Sequence, residues 1–261
     1  MTAPDPWAPL RRHTVARIAL GRAGASLPTA AWLRFSVAHA LARDAVHLAF
    51  DTDTLAASLH HHGFDTVTLE SAAPDRATYL RRPDLGRRLS PRSAALLRAL
   101  PPAQGGAVCE LAVLVGDGLS ARAAQAHALP LLQELRPRLE AQGQPPGAVA
   151  LARQCRVALG DEFGALKHAR AVLVLIGERP GLSSPDSLGA YLTWAPRVGV
   201  ADAMRNCVSN IRPEGLGAAE AAHRIAWLLD AARQRGATGI TLKDESDAPA
   251  LPGTALSPRC I

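Results

Sequence analysis

Three short segments carry residue types that could contact a ligand. Gly116–Ser120 places an aspartate and a serine around glycines, directly after a valine-rich apolar run. Ile176–Gly181 puts a carboxylate, Glu178, and a guanidinium at the end of the clearest strand-like run in the chain. Arg205–Gly215 is dense in asparagine, serine and arginine and contains Cys207. Because ligands bind at the carboxyl ends of the strands in α/β sheets, we expect contacts there.

Each segment also has an interpretation that needs no ligand. Gly116–Ser120 fits a plain strand-to-helix turn, in which the aspartate or the serine caps the following helix. Glu178 and Arg179 could form an ion pair that stiffens a turn. Arg205–Gly215 could be a capping loop for the next helix. We favour the plain turn for the first segment and ligand binding for Glu178.

The remaining residues predict neither a metal site nor a complete catalytic site. Side chains of the consecutive His60–His62 would point in different directions on a helix, and with Gly63 next they fit a helix C-terminus. The sequence contains no GxSxG, HExxH or GxxxxGK[ST] pattern. Widely separated cysteines without a CxxC pair indicate reduced thiols rather than disulfides or structural zinc: Cys109, Cys155, Cys207 and Cys260.

Arginine carries nearly all the positive charge. The formal net charge is +6, and Lys167 and Lys243 are the only lysines. The arginines form a first cluster (Arg11, Arg12, Arg17 and Arg22) and a second cluster (Arg76, Arg81, Arg82, Arg87 and Arg88). Composition bias, an acidic partner and nucleic acid are three alternatives. Only Tyr79 could stack on a base beside the second cluster, so we expect no nucleic-acid partner.

Apolar periodicity predicts an α/β fold that follows a helical N-terminal region. We assign 1–105 to that region and 106–261 to a Rossmann-like domain, whose largely parallel sheet has helices on both faces. The predicted helices are 29–46, 53–62, 90–100, a helix ending near 142, 161–169 and 216–235. The predicted strands are 111–115, 148–159, 171–176, 187–194 and 239–242, and the last dozen residues are predicted to be a loose tail. No apolar stretch approaches the roughly 20 residues of a membrane span, and no secretory signal is evident.

Four segments together resemble the light chain of ethanolamine ammonia-lyase, over about residues 10–245. They are Leu10–Gly24, Tyr79–Leu89, Gly177–Leu182 and Cys207–Ile211, and Gly116–Ser120 fits a loop of the same family. Motifs of this length in one order are specific. Gln154-Cys155 departs from the Tyr-Gly that we expect at that position.

The resemblance implies the small subunit of an adenosylcobalamin-dependent lyase that converts ethanolamine to acetaldehyde and ammonia. It implies a large TIM-barrel subunit as partner and cobalamin at the interface between the subunits. Family contacts to adenosylcobalamin correspond to Val157, Glu178 and Cys207. Some family members carry an N-terminal extension associated with a bacterial microcompartment. That extension is missing here, so we expect the cytoplasm, and a chain that is inactive alone.

Two other classes of protein are alternatives. A free-standing nucleotide-binding α/β enzyme would need a glycine-rich fingerprint after its first strand, and the sequence has none. A basic nucleic-acid-binding protein would need aromatic side chains interleaved with its arginines.

Overall fold

A computed structural model describes residues 5–14, 16–100, 109–143 and 147–247. Its centre is a six-stranded sheet in the order β1-β3-β2-β4-β5-β6. The strands are β1 Thr66–Glu70, β2 Cys109–Gly116, β3 Val149–Arg153, β4 Ala169–Gly177, β5 Leu188–Trp194 and β6 Asn206–Ile211. The helices are α1 Thr29–His47, α2 Thr52–His61, α3 Arg76–Arg81, α4 Pro91–Ala99, α5 Ala121–Ala141, α6 Leu159–Leu166 and α7 Ala218–Arg235. The largely parallel α/β sheet predicted from the sequence is therefore confirmed.

The sheet is mixed, because its last two strands do not continue the parallel pattern. β1, β3, β2 and β4 pair in parallel, whereas β5 pairs antiparallel with both β4 and β6. A parallel pairing of β4 and β5 would need a long crossover, usually a helix. The connection from Gly177 to Leu188 contains no α-helix in the described structure, so the chain turns back and β5 pairs antiparallel with β4. The Rossmann-like topology therefore stays a prediction.

Helices cover both faces of the sheet, but unequally. Alternate strand residues, such as Val113 and Leu173, pack on a first face against α2, α5 and α7. The intervening residues, such as Leu114 and Val172, pack on a second face against α4 and α6. Alternation of this kind follows from the two-residue period of a strand, and fully buried strands are apolar on both faces.

The second face divides into a covered half and an open half. On the covered half, over β1 to β4, buried Leu97 of α4 and Phe163 of α6 close the core. Over β5 and β6, α7 packs against both strands on the first face. On the second face, α6 reaches only the border of this half, where its Asp161 bonds Arg205, which also bonds Thr193 of β5. We call the surface formed there by Gly189, Tyr191, Cys207 and Ser209 the open half-face.

Most predicted elements are confirmed within a few residues, including α1, α2, α4, α5 and α7. The predicted strand 148–159 ends at Arg153, because Gln154 turns the chain with a left-handed φ of 55°. Arg205–Gly215 was expected to be a loop, which is wrong, since β6 occupies much of it. The predicted strand 239–242 is wrong too, because Gly239–Thr241 forms a 3-10 turn. The loose tail lies outside the described residues.

The N-terminal hundred residues are helical only in part. β1, which the sequence analysis missed, adds an edge strand to the central sheet beside β3. The short helix α3 was also missed. The predicted boundary at 105 falls in 101–108, outside the described residues, and the division into two domains stays a prediction.

Helix α1 differs from the other long helices because its larger apolar side chains face outward. Trp32, Leu33, Val37 and Leu41 are each about half exposed or more, and only Ala31 and Ala45 are buried. Helix α7 is nearly as long but buries seven residues. Among the described helices, none is long and apolar enough to cross a membrane.

Candidate functional site

Glu178 lies at the edge of the open half-face, immediately after β4. Its Oε2 accepts hydrogen bonds from the Ser187 hydroxyl and from the backbone N–H of Asn210 at 3.2 Å. No salt bridge joins it to Arg179 in the described structure, so the turn-stiffening ion pair does not form there. Oε1 accepts no hydrogen bond from a described residue and is available to a donor from outside the chain.

Gly189 makes the space that Glu178 uses. A Cβ at this position would lie 2.9 Å from Glu178 Oε1 and 3.2 Å from Tyr191 Cε2. Glu178 and Tyr191 therefore flank the glycine on the same face of the sheet. A side chain larger than hydrogen would fill the gap between them.

Tyr191 and Cys207 occupy neighbouring strands and are paired in register across β5 and β6. Cys207 is exposed, and its sulfur lies 3.1 Å from the Ser209 hydroxyl. Burial raises the pKa of the Tyr191 phenol above its ordinary value, and Cys207 and Glu178 raise it further. Tyr191 is therefore a neutral hydrogen-bonding group at physiological pH.

Val157 meets Cys207 across a cavity of about 300 Å³ beside the open half-face. Its lining residues are Arg87, Arg156, Val157, Ala158, Tyr191, Asp202, Arg205 and Cys207. An adjoining cavity of about 390 Å³ shares Arg87, Ala158 and Asp202 with it. The structure thus brings Val157, Cys207 and Tyr191 to one cavity, with Glu178 further along the same face.

Asp117 holds the loop that presents Val157. Its carboxylate is buried and accepts hydrogen bonds from the backbone N–H groups of Gln154 at 3.0 Å and Cys155 at 2.8 Å. Arg76 also donates to it, at 3.1 Å. Burial raises the pKa of Asp117, and the Cys155 N–H and Arg76 oppose that shift. Asp117 therefore fixes the Gln154 turn from inside the protein and does not reach the open half-face.

The glycines of Gly116–Ser120 admit protein rather than a ligand. A Cβ on Gly118 would lie 2.2 Å from the carbonyl oxygen of Gly177. The Ser120 hydroxyl caps α5 by accepting the Ala123 N–H at 3.3 Å. The plain-turn interpretation with a capping serine is confirmed.

The second arginine cluster divides between the interior and the cavity. Arg76 and Arg156 lie over the ring of fully buried Tyr79, at 4.7 and 4.4 Å from its centroid. The Tyr79 hydroxyl donates to the Cys155 carbonyl at 2.9 Å, and burial raises the pKa of this phenol too. Arg87 is exposed and lines both cavities. Arg76 is therefore bonded to Asp117 inside the protein, and the acidic-partner alternative does not apply to it.

Contacts among distant segments show why sequence reasoning missed part of this site. Tyr191 has no motif of its own, and its place follows only from β5 pairing with β6. The role of Asp117 was likewise hidden, because its partners are 37 and 38 residues away. The histidines make separate contacts instead of sharing one: His60 meets the Thr66 hydroxyl at 2.9 Å, and His62 meets the Ser58 carbonyl at 2.8 Å.

These features define a class of protein: an α/β protein whose sheet keeps one half-face open, with no complete catalytic constellation on its described residues. The family of the ethanolamine ammonia-lyase light chain (EutC) matches residues 4–243. Similar curated proteins include the ethanolamine ammonia-lyase small subunit of Azotobacter vinelandii, 56% identical over 97% of this chain and 94% of the relative. The small subunit of Xanthomonas campestris pv. campestris is 58% identical over 95% of this chain and 90% of the relative. The small subunit of Ralstonia nicotianae is 55% identical over 95% of this chain and 91% of the relative. The chain belongs to the ethanolamine ammonia-lyase light chain family.

Proposed function

We propose that this chain is the cobalamin-contacting small subunit of an ethanolamine ammonia-lyase, which converts ethanolamine to acetaldehyde and ammonia. The observation that carries the proposal is that Val157 and Cys207 line one cavity and that Glu178 lies further along the open half-face beside it. These residues come from three separate segments. A structural role alone gives no reason for their common face to lack a covering helix.

The residue types on this face fit adenosylcobalamin. A corrin ring is edged with primary amides, which both donate and accept hydrogen bonds. Glu178 Oε1 is oriented to accept from an amide N–H in a charge-assisted bond, and the Tyr191 hydroxyl offers a neutral donor and acceptor. Val157 supplies an apolar wall, and the Cys207 sulfur is a small, soft and weakly polar contact. Arg156 lines the same cavity and forms no salt bridge with a described carboxylate, so its guanidinium can meet an acceptor on a ligand.

The protein and its cofactor divide the work. When bound, adenosylcobalamin supplies radical chemistry through homolysis of its cobalt–carbon bond. This chain holds the periphery of the corrin, orients it and excludes water from one side. We infer that the catalytic groups belong to the large TIM-barrel partner, because the family contacts that correspond to Val157, Glu178 and Cys207 are contacts to the cofactor. The isolated chain is accordingly inactive.

Helix α1 and the exposed arginines supply the surface for association with that partner. The apolar residues of α1 are too exposed and too numerous for a freely solvated helix, and Arg81 is also exposed. Reversing Arg81 and Arg82 to glutamate should weaken assembly while leaving the fold intact, because neither side chain is buried. Loss of nucleic-acid affinity with an intact complex would instead indicate the nucleic-acid alternative.

Co-expression with the large subunit of the Azotobacter vinelandii enzyme tests the proposal directly. We expect a complex that takes up adenosylcobalamin with a shifted corrin spectrum and releases acetaldehyde from ethanolamine. Each subunit alone should give no turnover. Turnover by this chain with adenosylcobalamin alone, or a complex that binds no corrinoid, would contradict the proposal.

A further inference from the structure

The cavity beside the open half-face has an excess of positive charge that its own walls do not neutralise. Every carboxylate around the two cavities already has a partner. Asp161 and Asp202 bind Arg205, and Asp84 binds Arg82. Glu162 accepts the Leu89 N–H at 2.9 Å. None of these carboxylates bonds the guanidinium of Arg87 or Arg156 in the described structure.

Arg88 lines only the adjoining cavity and also forms no salt bridge in the described structure, whereas Arg87 and Arg156 are the cations without a carboxylate partner in the cavity of about 300 Å³. Neither forms a salt bridge with a described carboxylate. The only hydrogen bond of the Arg156 guanidinium in the described structure is a long one, from Nη2 to the Tyr79 carbonyl at 3.5 Å, so its charge has no anionic partner. Stacking on the Tyr79 ring fixes the Arg156 guanidinium in place. Two uncompensated guanidiniums thus line one cavity of about 300 Å³.

The amino end of α6 adds positive potential at the same place. Ala158 is the N-cap of this helix and lines both cavities. The backbone N–H groups of Val157 and Ala158 make no hydrogen bond within the described structure. Unpaired N–H groups at a helix start attract anions, and arginine forks match phosphate oxygens. The acids of the first turn, Asp161 and Glu162, are occupied as described above.

We propose that Arg87 and Arg156, with the amino end of α6, bind the phosphodiester of the cobalamin nucleotide loop. This inference rests on the proposed function and deepens it. The phosphodiester is the fixed anion on the periphery of cobalamin, whereas the corrin edge carries neutral amides. Val157 and Cys207 line the same cavity and would contact the nucleotide loop, whereas Glu178, further along the open half-face, would contact the corrin amides.

The test uses the complex with the large subunit and corrinoids that differ in the nucleotide loop. Adenosylcobalamin and adenosylcobinamide phosphate carry a phosphate, and adenosylcobinamide does not. Arg87→Gln should weaken binding of the first two by about tenfold, because it removes a charge-assisted hydrogen bond. Binding of adenosylcobinamide should change by less than about twofold. Equilibrium dialysis followed by corrin absorbance gives the dissociation constants without any activity measurement.

Three further variants keep the result interpretable. Arg87→Lys keeps the charge and should retain most of the affinity for the phosphate-bearing corrinoids. Arg98→Gln changes an exposed arginine of α4 that lines neither cavity and should leave all three constants unchanged. Arg156→Gln should act in the same direction as Arg87→Gln, and circular dichroism checks that its contact with Tyr79 is not needed for folding.

Two results would overturn the inference, and they are distinguishable from failure of the proposed function. If Arg87→Gln weakens adenosylcobinamide as much as adenosylcobalamin, Arg87 does not bind the phosphate. The second result concerns binding of inorganic phosphate, measured by the same dialysis. If Arg87→Gln weakens binding of inorganic phosphate but of none of the corrinoids, the cavity is a site for free anions. In both cases cobalamin still binds the wild-type complex and the proposed function stands. A wild-type complex that binds none of the corrinoids would remove both proposals.

Discussion

The covered and open halves of the second face contain similar charged and polar residues, but these residues are paired inside the protein in one half and left without a described partner in the other. On the covered half, charged and polar groups are matched inside the protein, as in Asp117 with Arg76 and the Cys155 N–H. On the open half, Glu178 Oε1 remains without a described hydrogen-bond donor, and the cavity beside it is lined by Arg87 and Arg156, which form no salt bridge with a described carboxylate. Buried charge that is satisfied internally stabilises a fold only while its partner is present. Charge left unsatisfied at a surface instead favours a ligand.

Arg205 lies at the border between the two halves. Removing the carboxylate that pairs with it should cause the largest loss in the free energy of unfolding. Its guanidinium and Asp161 are each only 2% exposed, and Arg205 Nη2 lies 2.7 Å from Asp161 Oδ2. Asp161→Asn leaves a buried cation without its countercharge and should lower the free energy of unfolding by ~3–5 kcal/mol. Denaturant unfolding measures the change.

Asp202→Asn is the matched control, because Asp202 contacts the same arginine but its side chain is 91% exposed. Its unfolding midpoint should stay close to that of the wild type, since exposed ion pairs contribute little. Equal losses for the two variants would show that burial does not set the value of this ion pair.

Truncating an apolar side chain that covers the covered half should cause the next largest loss of stability. Leu97 of α4 is 2% exposed and packs on the second face. Leu97→Ala should cost ~2–5 kcal/mol, because it removes buried methyl groups and leaves a cavity. Its neighbour Leu96 is 42% exposed, and Leu96→Ala should stay within about 0.5 kcal/mol of wild type. Thermal unfolding of both variants compares them, and a large loss for Leu96→Ala would mean that something covers α4.

Glu178→Gln tests the open half. Unlike the first two variants, it should weaken cobalamin binding and leave the stability of the fold almost unchanged. The amide keeps the shape but loses the charge-assisted part of a bond to corrin amides, about 1 kcal/mol. Cobalamin binding to the complex should weaken roughly fivefold, while the melting temperature barely moves. Glu214→Gln, at an exposed position beyond β6, is the control. A lower melting temperature with unchanged cobalamin affinity would assign Glu178 a purely structural role.

The smallest effect on stability concerns the two tyrosines, Tyr79 in the interior and Tyr191 on the open half-face. Burial raises the pKa of both phenols, so their neutral forms are favoured in the folded chain. The unfolded chain loses its phenolic protons first, at a pKa of about 10. Stability should therefore hold below that pH and fall as the pH rises above it. Tyrosinate absorbance should appear later on alkaline titration than in denaturant, and Tyr191→Phe should remove one of the two late transitions. A tyrosine that ionises near its ordinary value in the folded chain would contradict the burial described for it.

Local signals in the sequence determined much of the framework. Valine-rich runs fixed β2 and β4, and a Ser90-Pro91 start gave α4, because each signal is contained within a few residues. The placement of Glu178 at a strand end also followed from local sequence. The family resemblance supplied Val157 and Cys207 before any geometry was known.

Only the tertiary structure decided how these segments meet. Asn206–Ile211 is polar and reads as a loop, but as an edge strand it needs apolar residues on one face only, Val208 and Ile211. β1 was missed because its five residues alternate weakly and gain their partner, β3, from more than 75 residues away. The open half-face, Tyr191 within it and the unpaired Arg156 all follow from such long-range pairings. No short stretch of sequence encodes them, since hydrogen bonds and burial across the sheet exist only once the chain has folded.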